Sequence, residues 1–214
     1  MDFEIREPNP ILQFAQSPSL RVCTARIILH HYHSEIATPQ DVHRWHLERG
    51  WIGNGYNFMV DMDGTIWSGR GLDAVGTHTA NNNVDSIGVA CQGRYDDLTK
   101  KMPDAQFNSL VWLIRHIHSI YGEVPVVGHR DASPSACPGR FFPMDEVRQL
   151  QFRGERVDEM RINTIDEVPN WAQPFVQDML DRKILTGTGH ELDITLDMIR
   201  TWMIVERMLQ ERVS

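Results

Sequence analysis

The longest regular pattern in this sequence lies between Pro103 and Gly122 and constrains the fold more than any other segment. Apolar side chains recur there at spacings of three and four, which is the period of one face of an α-helix. This face consists of Phe107, Leu110, Val111, Ile114, Ile117 and Ile120. Because so broad an apolar face needs an extended partner, the pattern predicts a helix packed against a β-sheet.

Short apolar runs elsewhere in the chain predict the strands of that sheet. They lie at residues 27–29, 58–60, 65–67, 87–91 and 124–127. Asp63-Gly64 joins the second and third runs and is a strong hairpin signal. A helix over 39–49 is predicted by Thr38 as N-cap, Pro39 at the first helical position and Gly50 as a stop. Strands, helices and a hairpin in this order predict an α/β fold with a mixed central sheet flanked by helices.

The composition changes near residue 153, where charged residues replace large apolar ones. We therefore predict a first domain over 1–152, a linker over 153–168 and a small helical module over 169–214. Within the module, helices are expected at about 171–182 and 195–211, with a turn at 187–189. So small a unit has a marginal core, so we expect it to dock on the main domain or to pair with a copy of itself.

The charge balance and the hydropathy exclude several classes of protein. The chain has 21 basic and 29 acidic residues in 214, a formal charge of −8, whereas a phosphate-binding surface needs a basic excess. We therefore expect no nucleic-acid partner. No run approaches the roughly 18 to 20 apolar residues of a membrane span, and the N-terminus lacks a secretory pattern. We expect a protein made in the cytoplasm without a signal peptide and without membrane insertion.

A candidate metal site is the sharpest local signal for chemistry. His129 and Cys137 are eight positions apart, with Pro134 and Pro138 stiffening the loop, and His31 at the end of another strand could supply a third ligand. Two imidazoles and one thiolate would leave the fourth position of a tetrahedral zinc open, which is the catalytic pattern. In an arbitrary protein a His and a Cys at this spacing are more often unrelated, so spacing alone leaves the question open.

Several motifs in order resemble the zinc-dependent N-acetylmuramoyl-L-alanine amidases, the amidase-2 family that includes phage amidases and animal peptidoglycan recognition proteins. They are HRDASPSACPG at 129–139, IILHH at 27–31, WH at 45–46, GYNF at 55–58, DGT at 63–65 and SIGV at 86–89. The resemblance spans residues 24–150 and implies a peptidoglycan recognition protein-like fold. It also implies that His31, His129 and Cys137 bind Zn²⁺. His30 competes with His31, because adjacent strand residues point to opposite faces, and we prefer His31.

The resemblance also implies catalytic roles for Tyr56 and Ser135. Tyr56 matches the active-site tyrosine of the family, which could orient the attacking water or stabilise the oxyanion. Ser135 stands where relatives carry a lysine or a threonine, so it keeps a hydrogen bond but lacks the charge of lysine. Ala90 replaces a glutamate that serves some relatives as a base. A carboxylate base is therefore doubtful, and we expect a zinc-activated water to attack.

Further residues are candidates for substrate binding. His78 and Asn83 match a loop that lies along the substrate groove in relatives. Arg70 and Arg130 could meet acidic groups of the peptide or lactyl chain, or could be solvated surface charges. His43 and His46 are three apart on the predicted helix, a spacing that can imitate a ligand pair. We interpret His46, with Trp45, as a packing feature instead.

The function implied by the resemblance is hydrolysis of the amide between N-acetylmuramic acid and L-alanine in peptidoglycan, by a phage or prophage endolysin that acts on the cell wall after release. A cytosolic wall-recycling amidase and a non-catalytic peptidoglycan-binding module are the alternatives. The segments at 171–176, 187–189 and 193–200 resemble one S-layer-homology repeat, which implies wall attachment or homo-oligomerisation. A helical hairpin that only stabilises the catalytic domain is the competing interpretation.

Overall fold

A six-stranded sheet organises the first part of the chain in the computed structural model, which describes residues 3–154, 164–168, 172–185, 192, 194, 198–199 and 202–203. The strands are β1 (Ile5–Arg6), β2 (Arg26–His31), β3 (Phe58–Val60), β4 (Ile66–Ser68), β5 (Ser86–Cys91) and β6 (Val126–Gly128). Their order across the sheet is β1-β4-β3-β5-β2-β6. Only β3 and β4 pair antiparallel, as the Asp63-Gly64 turn predicts, so the mixed sheet is confirmed.

The helices of residues 3–154 include the two that the sequence predicts, at 39–49 and between Pro103 and Gly122. They are α1 (Pro39–Glu48), α2 (Asp104–Tyr121), α3 (His129–Ala132) and α4 (Met144–Arg148). At the start of α1, Thr38 Oγ1 accepts from the Asp41 N–H at 3.2 Å and the Asp41 carboxylate accepts from the Thr38 N–H at 3.0 Å. Helix α2 ends at Gly122, whose φ of +82° suits a residue without a Cβ.

The main core lies between α2 and one face of the sheet. Ile27 and Leu29 of β2 and Ile87 and Val89 of β5 are fully buried there. From α2 the core receives Phe107, Leu110, Val111, Ile114 and Ile117, as the sequence pattern predicts, whereas Ile120 of the predicted face is exposed in the last turn of the helix. Burying each of these side chains stabilises the fold by about 1.5–3 kcal/mol, so this face anchors the sheet.

The opposite face of the sheet carries His30 and a smaller apolar cluster. Ile28 and His30 of β2 alternate with the core-facing side chains, and Met59 and Ala90 contribute to a second, smaller cluster with Val42 of α1. The register pairs Ile28 with Gly88 and His30 with Ala90. Helix α1 packs on part of this face through Val42, so both faces of the central strands are covered.

Residues 155–214 form a second compact unit, which is described here by itself. Its described elements are a 3-10 helix (Ile165–Glu167) and α5 (Gln173–Asp181), and Val168, Ala172, Val176, Ile194 and Ile199 form its small core. Helix α5 agrees with the helix expected at 171–182. The 3-10 helix falls inside the segment that we interpreted as a linker. The expected turn at 187–189 and most of the expected helix at 195–211 lie outside the described residues.

The described residues also bear on membrane insertion. Across the part of the chain that the structure describes, no helix combines the length and the apolar character needed to cross a bilayer.

Candidate active site

Three metal-ligating side chains converge at the ends of two adjacent strands. The β2–β6 register pairs Leu29 with Gly128, so His30 and His129, the next residues of the two segments, are neighbours. Their ring centroids lie 4.6 Å apart, and Cys137 Sγ is 3.7 Å from His30 Nδ1. One possible ligand atom from each of the three residues lies within 4.8 Å of the others. This His-His-Cys group could hold a metal ion.

The structure brings His30 into this group and not His31, the ligand that the sequence analysis preferred, so the geometry does not support that preference. His31 continues the face of Leu29 and Ile27, so its ring lies on the other side of the strand. There its Nδ1 accepts from the Tyr95 N–H at 3.3 Å. The backbone N–H of His31 still donates to Cys137 Sγ at 3.4 Å, a contact that any non-proline residue could make.

The loop that carries Cys137 is held by its own hydrogen bonds. The Arg130 N–H donates to the Cys137 carbonyl at 2.8 Å, and the Cys137 N–H donates to Ser135 Oγ at 3.1 Å. The guanidinium of Arg130 donates to the Gly139 carbonyl at 2.8 Å. Arg130 therefore closes the loop on both its main-chain and side-chain sides, and its contact with substrate stays a prediction.

Burial sets the protonation of the three candidate ligands. It lowers the pKa of His30 well below 6.5, with His78 and His129 adding to the effect, and it lowers the pKa of His129. Burial raises the pKa of the Cys137 thiol to about 11, although the His31 N–H and Arg130 oppose the rise. Both imidazoles are therefore neutral and able to ligate at neutral pH. The thiol must lose its proton when a metal binds, so binding releases a proton.

Tyr56 and Ser135 lie beside this group, as the sequence predicts. The Tyr56 ring centroid is 5.1 Å from that of His30, and burial followed by the charge of Cys137 raises the pKa of its hydroxyl. The hydroxyl therefore stays protonated and can donate a hydrogen bond. Ser135 Oγ lies 3.5 Å from His129 Nδ1. Ala90 is fully buried, and its methyl side chain offers no carboxylate at this position.

The family of the chain follows from comparison with known proteins. The family described as N-acetylmuramoyl-L-alanine amidase (Amidase_2) matches residues 22–140, more than half of the chain. The chain belongs to this amidase family. Its enzyme class is that of an N-acetylmuramoyl-L-alanine amidase. The matched segment contains His30, Tyr56, His129, Ser135 and Cys137.

Relatives and solved structures agree with that assignment. The chain is 35% identical to the endolysin of Enterobacteria phage K11 over 104 residues, which cover 46% of this chain and 68% of the endolysin. The amidase LysC from Clostridium intestinale matches with a TM-score of 0.64 and 32% identity, covering 68% of this chain and 95% of LysC. Drosophila PGRP-LB, at 24% identity, matches with a TM-score of 0.60 over 68% of this chain and 93% of its own, which confirms the fold.

His78 of the amidase does not lie along an open groove. Its side chain is buried behind His30, with His78 Nδ1 3.0 Å from His30 Nε2. Burial lowers the pKa of His78 to about 3, with the charges of His129 and Arg70 contributing. Asn83 shapes the same loop, since its Oδ1 accepts from the His78 and Thr79 N–H groups at 2.9 Å each. The substrate-binding role expected of His78 does not fit this position, while that of Asn83 stays a prediction.

Arg70 lines a cavity of about 310 Å³ together with Trp51, Ser19 and Thr77. Its guanidinium donates to the Asn54 carbonyl at 2.6 Å and to the Val75 carbonyl at 3.0 Å. Its Nη2 is buried and has no hydrogen-bond partner among the described residues. Burial lowers the pKa of the Arg70 guanidinium. Its contact with substrate stays a prediction.

The two histidines of α1 are structural, as interpreted from the sequence. His43 Nδ1 accepts from the Asn54 N–H at 3.0 Å, and His46 Nδ1 accepts from the Gly55 N–H at 2.9 Å. The His46 ring packs on Trp51, at 4.6 Å between centroids, whereas the sequence analysis paired it with Trp45. Together they fix the turn that leads into Tyr56. The sequence analysis did not predict these hydrogen bonds to the turn. The sequence signal for them is weak: a pair of histidines on a helix that is followed by a glycine-rich segment.

Proposed function

We propose that this amidase hydrolyses the bond between N-acetylmuramic acid and L-alanine in peptidoglycan, with Zn²⁺ held by His30, His129 and Cys137. The observation that carries the proposal is the convergence of two imidazoles and a thiol at one strand edge, with Tyr56 and Ser135 beside them. A set of two nitrogens and one sulfur suits zinc better than it suits magnesium or calcium, which prefer oxygen ligands. Three protein ligands are also the number found in catalytic zinc sites.

When bound, a zinc ion supplies Lewis-acid chemistry, polarising a carbonyl and acidifying water to a pKa near 7. The residues of the chain supply the positioning. Tyr56 offers a protonated hydroxyl to the substrate carbonyl as negative charge develops on its oxygen. Ser135 offers a second hydroxyl next to His129. Two neutral donors would replace the positive charge that a lysine at position 135 would bring.

Arg70, Asn83 and Arg130 are proposed to assist in binding the substrate. The stem peptide carries carboxylates, so the cations Arg70 and Arg130 would offset the net charge of −8 of the protein toward the substrate. Arg70 has one guanidinium nitrogen that finds no partner among the described residues and lines a cavity, which favours it among the three.

The biological setting is proposed to be that of an endolysin that acts on the cell wall after release from the cytoplasm. The 35% identity to the phage K11 endolysin supports this setting. The C-terminal unit would then attach the enzyme to the wall or join two copies of the chain. A wall-recycling amidase would use the same chemistry on soluble wall fragments. The two settings differ in whether the enzyme cleaves intact sacculi or only soluble fragments.

The test is mass spectrometry of purified peptidoglycan after digestion by the wild type, Cys137→Ala and Tyr56→Phe, each with and without a chelator. Intact sacculi and soluble muropeptides are compared as substrates. We expect the metal-loaded wild type to release free stem peptides that begin in alanine. Tyr56→Phe should release them much more slowly, and Cys137→Ala and the chelated samples should release none. Binding of sacculi without release of any peptide would replace the proposal with a non-catalytic recognition module. Cleavage of muropeptides but not of sacculi would favour recycling over lysis.

A further inference from the structure

The two nitrogens of the His30 ring face different partners. His30 Nδ1 points toward Cys137 Sγ, at 3.7 Å, and so toward the candidate metal position. His30 Nε2 points the other way, 3.0 Å from His78 Nδ1. The His30 side chain is 1% exposed, so water cannot replace that second partner. The hydrogen bond between His78 and His30 Nε2 therefore decides which nitrogen of His30 carries the proton and how Nδ1 is oriented toward the candidate metal position.

Proton counting gives the direction of this hydrogen bond. A neutral imidazole that ligates through Nδ1 carries its proton on Nε2, and a buried N–H needs an acceptor. His78 Nδ1 is the nearest acceptor, and Thr79 Oγ1 lies farther away, at 3.4 Å. His78 then carries its own proton on Nε2, which is 3.4 Å from Ser86 Oγ. Ser86 Oγ in turn donates to the Asn82 carbonyl, so each donor in the chain has an acceptor.

The His78 ring occupies space that is free because two neighbouring residues, Gly76 and Gly88, have no side chain. A Cβ on Gly76 would lie 2.8 Å from His78 Nε2, and a Cβ on Gly88 would lie 2.7 Å from the same atom. Both distances are shorter than Cβ contacts in proteins, so a side chain at either position would displace the ring. The main chain of His78 is tied down separately by Asn83 Oδ1. The two glycines therefore leave the room that the ring occupies, while Asn83 holds its backbone.

We propose that His78 is a positioning residue of the metal site. Its Nδ1 accepts a hydrogen bond from the Nε2–H group of His30 and so fixes the tautomer and the orientation of that ligand. The inference rests on the proposed ligand set of His30, His129 and Cys137. It assigns His78 no contact with substrate. Acceptors of this kind on ligating histidines typically contribute about 10- to 100-fold to metal affinity.

Two substitutions of similar polarity separate positioning from packing. In His78→Asn, Oδ1 is bonded to Cγ as Nδ1 is, so the acceptor stays near its place. In His78→Gln the polar atoms are one bond farther out, toward Ser86, and the acceptor for His30 is lost. We expect His78→Ala and His78→Gln to weaken zinc binding about 10- to 100-fold in a chelator competition assay, and His78→Asn to restore most of the loss. Thr79→Val removes the alternative acceptor, whose hydroxyl also lies 3.1 Å from His78 Nδ1, and should change zinc affinity far less than His78→Ala does.

A spectroscopic readout reports the proton itself. Long-range ¹H–¹⁵N NMR of the zinc-loaded protein should show His30 protonated on Nε2 in the wild type and in His78→Asn. In His78→Gln that signal should be lost by exchange or should shift. Gly88→Ala gives an independent arm, because it pushes on the ring while His78 is retained. It should reproduce the loss seen in His78→Ala, with thermal unfolding of the metal-free protein as the folding check.

The outcomes separate this inference from the proposed function. If the wild type binds no zinc, the proposed ligand set fails. If the wild type binds zinc and His78→Ala or His78→Gln binds it equally well, the positioning role of His78 is refuted while the ligand set stands. Equal losses in His78→Asn and His78→Gln would also refute it, because packing rather than the acceptor would then explain the effect.

Discussion

Removing one of the two adjacent histidines of β2 tests the candidate active site most directly. His30→Ala removes the ring that lies 1% exposed between Cys137 and His129. His31→Ala removes a partly exposed ring on the other side of the strand, which accepts one hydrogen bond from the Tyr95 N–H. The two variants delete the same side chain from neighbouring positions, so each serves as the control for the other.

The expected magnitudes differ by orders of magnitude. Structural zinc sites with four ligands bind with about 10–16 kcal/mol, so a single ligand contributes about 2.5–4 kcal/mol. At about 1.4 kcal/mol per tenfold, His30→Ala should weaken zinc binding about 100- to 1,000-fold. His31→Ala loses one hydrogen bond, which costs about 0.5–1.5 kcal/mol of folding stability and leaves zinc affinity unchanged.

The assay is a zinc competition titration against a chromophoric chelator at fixed pH. Thermal unfolding of each metal-free variant, followed by circular dichroism, separates a lost ligand from a lost fold. Tight zinc binding by His30→Ala together with weak binding by His31→Ala would refute the assignment. It would mean that the strand presents the opposite face to the loop of Cys137.

Three other perturbations test separate parts of the structure. Tyr56→Phe keeps the ring packed on His30 but removes the hydroxyl, so kcat should fall about 100- to 1,000-fold with zinc affinity unchanged. Burial lowers the pKa of His46 to about 4, so the imidazole takes up its proton at higher pH in the unfolded chain than in the folded one. The free energy of unfolding should therefore fall as the pH drops from about 6.5 to 4. His46→Asn keeps an acceptor for the Gly55 N–H and should reduce this pH dependence in urea unfolding. Ile114→Ala, at a fully buried position under the sheet, should cost about 2–5 kcal/mol in urea unfolding without changing zinc affinity.

Each of these predictions has an outcome that contradicts it. Full activity of Tyr56→Phe would remove the hydroxyl from the proposed chemistry. An unchanged pH slope in His46→Asn would mean that other buried histidines account for the acid sensitivity. A loss below about 1 kcal/mol in Ile114→Ala would mean that the α2 face packs more loosely than the burial indicates.

Local sequence signals predicted the elements that local physics controls. Thr38 and Pro39 mark the start of α1 because capping needs only neighbouring atoms, and Asp63-Gly64 marks the β3–β4 turn for the same reason. The apolar period of α2 predicted its buried face because a helix packed on a sheet buries one side. Strand β1 was missed, since a two-residue strand such as Ile5–Arg6 has no period and forms only because β4 lies beside it.

The candidate site was predictable in composition but not in geometry. The motifs indicated a histidine of β2, His129 and Cys137, and the structure brings such a set together. Nothing in the run 27–31 shows which face is the core, because Ile28 and Leu29 are both apolar and both buried. Alternation carries no information where both faces of a strand are covered, so the preference for His31 over His30 could not be tested from the sequence.

The sequence by itself therefore determined the family, the mixed sheet and the kinds of ligand atoms, because these follow from motifs, periods and side-chain chemistry. Only the tertiary structure decided that His30 faces Cys137, that His31 faces Tyr95, and that His78 sits in a slot left by Gly76 and Gly88. The physical reason is that His30 and Cys137 are 107 positions apart, His31 and Tyr95 are 64 apart, and His30 and His78 are 48 apart. Their distances depend on strand register and side-chain direction, which no local pattern encodes.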